Sequence, residues 1–79
     1  MNEKQLSQII DIFSQVMGIP KNMIDDSIAY NSHPSWDSLR HLELASSLET
    51  ALNIEFETDD LISMVTFSSV KTICSKYLE

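Results

Sequence analysis

Apolar residues recur at helical spacing in three stretches of the chain, and sharp breaks separate them. Leu6, Ile9, Ile10, Phe13, Val16 and Met17 are interleaved with Lys4, Gln8, Asp11 and Gln15, so residues 3 to 17 predict an amphipathic helix with one apolar stripe. Gly18 offers a left-handed stop and Pro20 bars continuation. Residues 18 to 36, nineteen in all, hold Gly18, Pro20, Asn22, Asn31, Pro34 and three serines, and predict a long irregular connection. A connection of that length in a compact domain is either functional or held by its own side chains, for which Met23, Ile24, Ile28 and Tyr30 are the candidates. A short helical turn fits just after Pro20.

From Ser38 to Leu52 there is no Gly or Pro, and Leu, Ala and Glu dominate, so this stretch predicts the strongest helix. At 3.6 residues per turn, His41, Leu44, Ala45, Leu48, Ala51 and Leu52 share one arc, while Leu39, Glu43, Ser46 and Thr50 lie roughly opposite. Leu39 is therefore expected to face solvent. Asn53-Ile54-Glu55-Phe56 breaks the period, and with no partner strand in view it reads as an extended linker that tucks in Ile54 and Phe56. Thr58 can cap a short helix with Asp59 and Asp60 in its first turn, where acids suit the dipole, and with Leu61, Ile62, Met64 and Val65 as its apolar side. Thr66 or Ser68 can open the last helix, in which Phe67, Val70, Ile73, Cys74, Tyr77 and Leu78 recur to the C-terminus. The expected fold is all-α: a small four-helix bundle over residues 1 to 79, three main helices and one short one, with a long first loop.

Seventy-nine residues, 43% of them hydrophobic, suffice for one domain with a modest core and leave little room for a deep enzymatic pocket. A lone cysteine, Cys74, cannot form an internal disulfide, no Cys/His spacing suggests a zinc site, and no stretch resembles a secretory signal or a membrane span. These features lead to the expectation of a cytoplasmic, monomeric chain with no metal. A formal net charge of −7 disfavours nucleic acid and anionic membranes and favours basic protein partners. Residues 35 to 60 carry seven acids (Asp37, Glu43, Glu49, Glu55, Glu57, Asp59 and Asp60) against one base, Arg40. The negative charge follows the segment that holds Ser38.

Ser38 stands where the long loop turns into the strongest helix. A hydroxyl there lies among unpaired backbone N–H groups at the positive end of the helix dipole, a setting suited to an attached phosphate. The competing reading is an ordinary N-cap serine. Asp37 can cap the same helix from the preceding position. Trp36 reads as a packing residue, as do Met17, Met23 and Met64 at apolar positions. His33 reads as a loop residue. His41, three positions after Ser38, is near enough in a helix to serve as a general base, yet it falls on the buried arc, and no glycine-flanked nucleophile elbow surrounds Ser38. Catalysis by this chain is therefore not expected.

Trp36-Asp37-Ser38-Leu39, followed by His41-Leu42-Glu43-Leu44 and Leu48-Glu49, resembles the acyl carrier protein family, and the resemblance extends over nearly the whole chain through helix spacing, the long first loop and the acidic middle. It implies that Ser38 receives 4′-phosphopantetheine from coenzyme A through a phosphodiester, and that the terminal thiol of this arm carries an acyl group as a thioester. It implies a role for Asp37 in modification, beside the metal and coenzyme of a phosphopantetheinyl transferase. It makes Leu39 a docking contact, with Glu43, Glu49, Asp59 and Asp60 supplying negative potential that speeds encounter with basic surfaces. The implied partners are that transferase, acyl- or aminoacyl-activating enzymes, and synthases or transferases with basic docking surfaces.

The chain departs from the family at Arg40, where many members carry a small or acidic residue, and at Ser46 and Ser47, which are polar where fatty-acid carriers tend to be apolar or small. A cation near a helix N-terminus gains nothing from that helix's dipole. Arg40 bears on partner choice, the two serines weaken the expectation of a long sequestered acyl chain, and the Trp-Asp-Ser-Leu form resembles stand-alone carriers of specialised pathways, polyketide, aminoacyl or sugar-modifying, as much as the carrier of bulk fatty acid synthesis. Two other readings compete with a carrier. One is an unmodified acidic helical adaptor that docks through Leu39 and its neighbouring acids; the other is a hydrolase using Ser38 and His41.

Overall fold

Side-chain caps set three of the four helix starts. The computed structural model describes all 79 residues, which form helices α1 (Glu3–Met17), α2 (Ser38–Leu52), α3 (Thr58–Ser63) and α4 (Phe67–Leu78), with a 3-10 turn at Lys21–Met23. Asn2 Oδ1 accepts from the Gln5 N–H at 2.8 Å and Gln5 Oε1 accepts from the Asn2 N–H at 3.0 Å, a reciprocal capping box that opens α1. Gly18 closes α1 at φ 67°, the left-handed region that its missing Cβ permits, and its N–H donates to Ser14 O. Asn53, at φ 54°, performs the same service for α2. Thr66 and Ser69 form the box that begins α4, so Thr66 rather than Ser68 is the cap.

The long loop is held by backbone as well as side chains. The Tyr30 N–H donates to Val65 O and the Phe67 N–H to Ile28 O, both at 2.9 Å, around an isolated antiparallel bridge between Ala29 and Thr66. No strand forms. The pairing ties the middle of the loop to the junction between α3 and α4, which side-chain periodicity alone did not reveal. Ile24, Ile28 and Tyr30 pack against the core as expected, but Met23 does not: 65% of it is exposed on the 3-10 turn.

Thirteen residues are buried and all are apolar. Ile9, Phe13, Val16 and Met17 come from α1, Ile19 and Trp36 from the loop, Leu44, Ala45 and Leu48 from α2, Met64 from the turn after α3, and Phe67, Val70 and Cys74 from α4. Phe13 lies at the centre, with ring centroids 5.2 Å from Trp36 and 4.7 Å from Phe67. α1 and α2 pack directly on each other. The Cα radius of gyration, 11.3 Å, matches the roughly 11.6 Å of a compact chain of this length. No helix is long and apolar enough to cross a membrane.

Three local expectations are corrected. Thr58 is the first residue of α3 and not its cap; Glu57 holds the cap position, without a side-chain hydrogen bond. α3 ends at Ser63, so Met64 and Val65 leave the helical period, Met64 turning fully inward while Val65 stays exposed along with Ile62. Ala51 shares the arc of Leu44 and Leu48 but lies in the last turn of α2 and is exposed.

Candidate functional site

The start of α2 is built from both sides of Ser38. Asp37 adopts extended backbone (φ −106°, ψ −176°), and its Oδ1 accepts from the Arg40 N–H at 2.9 Å, so Asp37 is the N-cap. Ser38 is thereby the first helical residue. It is exposed, and its hydroxyl is spared the capping task that the competing reading of the sequence assigned to it. Immediately before them Trp36 is completely buried, which anchors the chain two residues from the hydroxyl.

Arg40 resolves an oddity of the sequence. Its guanidinium donates to Val16 O at 2.9 Å, in the last turn of α1, where carbonyls lack helical partners and the dipole favours a cation. A charge with nothing to gain from its own helix is satisfied by the end of another. The contact fastens the start of α2 to α1.

His41 turns both ring nitrogens into the fold. Nδ1 accepts from the Trp36 indole N–H at 3.0 Å, and Nε2 lies 2.9 Å from Leu61 O. Neither nitrogen is left to take a proton from Ser38, so the pair that a hydrolase would require is not assembled.

Of the expected docking residues, Leu39 is 70% exposed, and Glu43 and Asp59 are exposed. Glu49 and Asp60 are occupied within the fold. Glu49 Oε2 accepts from the Phe56 N–H at 2.8 Å and so fixes the linker after α2. Asp60 receives Lys76 Nζ on both oxygens, at 2.7 and 2.6 Å, and the Tyr77 hydroxyl on Oδ2. Tyr77 in turn accepts from the Glu57 N–H, so this cluster binds α3 to α4. Sequence reasoning missed three apolar residues that join Leu39 at the surface: Leu42, Ile62 and Val65, at 59%, 69% and 49% exposure. Leu42 was findable, standing three residues from Leu39 and hence beside it on a helix. Ile62, Val65, Met64, Tyr30 and His41 line a groove of about 240 Å³.

The hydrogen bonds from Lys76 and then Tyr77 hold the Asp60 carboxyl below its ordinary value of 3.8. A depressed carboxyl stabilises the fold above its unfolded-state value and loses that contribution as pH falls through the folded-state value. Asp60→Asn is expected to lower the melting temperature at neutral pH. The difference from wild type should begin to close as pH drops below 3.8 and vanish once Asp60 is protonated in both states. Thermal melts followed by circular dichroism check this; a difference that stays constant across that window contradicts the assignment. Lys76 is raised by the same pair, so at the alkaline end the contribution fades as pH climbs through its folded-state value.

Burial pushes the Cys74 thiol up to about 12, which makes it inert as a nucleophile at neutral pH. No group of three or more His, Cys, Asp or Glu side chains is placed to hold a metal ion. A scan against protein-family models found no match, and searches of curated proteins and of solved structures returned none.

Proposed function

We propose that the chain is an acyl carrier protein whose four helices form a small bundle around one modified serine, Ser38. The observation that carries this reading is the exposed Ser38 hydroxyl at the first position of α2, freed by the Asp37 cap, within a sequence frame that resembles that family. An arm attached there is a phosphodiester anion facing helix-terminal N–H groups and the positive end of the dipole, favoured by about 0.3–1 kcal/mol at an exposed site. When attached, 4′-phosphopantetheine supplies a terminal thiol that holds acyl or aminoacyl groups as thioesters. Ser38 provides the point of attachment, Asp37 fixes its backbone, and Arg40 and Trp36 fix the helix start against the body of the domain.

In this reading Leu39 and Leu42 form the apolar contact for partner enzymes, and Glu43 and Asp59 the acidic rim that steers basic surfaces toward it. Glu49 and Asp60 serve the fold first. Partners are a phosphopantetheinyl transferase and the activating and transferring enzymes of a specialised acyl pathway. Incubation of purified protein with coenzyme A and a promiscuous transferase is expected to add one arm to the intact mass. An unchanged mass would set the carrier reading aside in favour of an unmodified adaptor that uses the same exposed leucines.

A further inference from the structure

The bonds between Trp36, His41 and Leu61 do something that an arm on Ser38 does not by itself require. An indole N–H can only donate, so His41 Nδ1 must present its lone pair to Trp36, and the ring proton resides on Nε2, donated to Leu61 O. The imidazole lies beside the indole, with 6.0 Å between centroids and 26° between planes, the near-coplanar arrangement that an in-plane N–H to N bond requires, and Tyr30 meets it edge-on at 5.4 Å. One neutral ring in one tautomer thus joins three pieces of chain: the end of the long loop, the first turn of α2 and the body of α3.

We propose that His41 is a positioning residue for Ser38, holding the junction from Trp36 to Ser38 in one arrangement so that a transferase meets an already ordered hydroxyl. This rests on the carrier reading. Ser38 lies two residues after one end of the indole–imidazole bond and three before the other. The Asp37 cap fixes the local backbone, but an outward swing of Trp36 would carry Asp37 and Ser38 with it. His41 opposes that swing, because it would break the indole N–H bond and leave the half-buried His41 Nδ1 without its donor. In the transfer itself, Ser38 Oγ bonds to the pantetheine-side phosphorus of coenzyme A as the pyrophosphate P–O bond breaks. Adenosine 3′,5′-bisphosphate leaves, and the serine proton passes to a base of the transferase. His41 touches none of these atoms. Its effect falls on how much ordering the enzyme must perform on binding, and so on KM more than on kcat.

The test compares the full-length wild type with His41→Phe, which keeps an aromatic ring without either hydrogen bond, and with His41→Gln, whose amide retains one acceptor and one donor. Transfer from coenzyme A is measured against carrier concentration, alongside nitrogen NMR of the wild-type imidazole. The expected result is a KM raised about fivefold to tenfold in His41→Phe, the loss of one or two net hydrogen bonds. A kcat within about twofold of wild type, substantial recovery in His41→Gln and a wild-type ring protonated on Nε2 complete the expectation. An unchanged KM in His41→Phe, or a wild-type ring protonated on Nδ1, overturns the proposal. If His41→Phe fails to fold, the His41→Gln kinetics and the tautomer decide. If the wild type accepts no arm, a ring protonated on Nε2 places the fault in the carrier reading, and one protonated on Nδ1 places it in the assigned His41 hydrogen bonds as well.

Discussion

Trp36→Ala is expected to cost the fold about 4–8 kcal/mol, a large share of its stability, and to lower its urea midpoint sharply. Trp36 is wholly buried, meets Phe13 edge-on at 5.2 Å and Tyr30 at 6.4 Å, and donates its indole N–H to His41. Truncating a large buried aromatic to alanine costs about 3–5 kcal/mol through lost burial and the cavity left behind. His41 Nδ1, half-buried beside the cavity, loses its donor, a further cost of about 1–3 kcal/mol where water does not reach it. A domain of this size has roughly 4–12 kcal/mol of stability to lose. Trp36→Phe keeps a ring against Phe13 while deleting the N–H and part of the volume, and is expected to lie between wild type and alanine. Urea titration followed by far-ultraviolet circular dichroism measures all three, since the only tryptophan is the residue replaced. A Trp36→Ala midpoint close to the wild-type value would show that the loop packs elsewhere in solution and would remove the anchor argued for Ser38.

The helices were legible because each carries its signal locally. The periodic stripe from Leu6 to Met17, the Gly18 stop and the unbroken run from Ser38 to Leu52 mark elements that form over those same spans. Burial was legible only where an element is long enough for periodicity to choose a face. α3 has six residues, and there the sequence assigned Ile62 and Val65 to the inside although both lie at the surface. The bridge between Ala29 and Thr66 joins residues far apart in sequence and follows from no local pattern.

For the site, chemistry that depends on neighbours in sequence was readable, and chemistry that depends on long-range partners was not. Asp37 as cap and Leu39 as exposed both follow from position in a helix. Glu49, Asp60 and Arg40 look alike from the sequence: charges on a polar surface. Each is committed to a partner the sequence does not place beside it, respectively the Phe56 amide, Lys76 with Tyr77, and the Val16 carbonyl. Glu43 and Asp59 are the exposed members among the four expected docking acids, and Lys76 offsets the charge of Asp60, whereas Glu49 keeps its charge while bonding a neutral amide.

On the carrier reading proposed above, Ser38→Ala is expected to abolish arm attachment while leaving the fold intact, and it is the combination that makes the result informative. Had Ser38 been the N-cap, alanine there would cost about 0.5–2 kcal/mol, and loss of modification would be confounded with fraying of α2. Asp37 is the cap, Ser38 is exposed at the first helical position, and alanine is the strongest helix former, so the change in stability should fall within about 0.5 kcal/mol. Asp37→Ala gives the complementary outcome: α2 loses the acceptor for the Arg40 N–H, stability drops by about 1 kcal/mol, and Ser38 keeps its hydroxyl. Intact mass after incubation with coenzyme A and transferase, read beside thermal melts, separates the two. Ser38→Ala should melt like wild type and gain no mass, whereas Asp37→Ala should melt lower and still gain the arm, more slowly. An arm found on Ser38→Ala would move the attachment point to another hydroxyl, and a large drop in its melting temperature would mean that Ser38 supports the helix start after all.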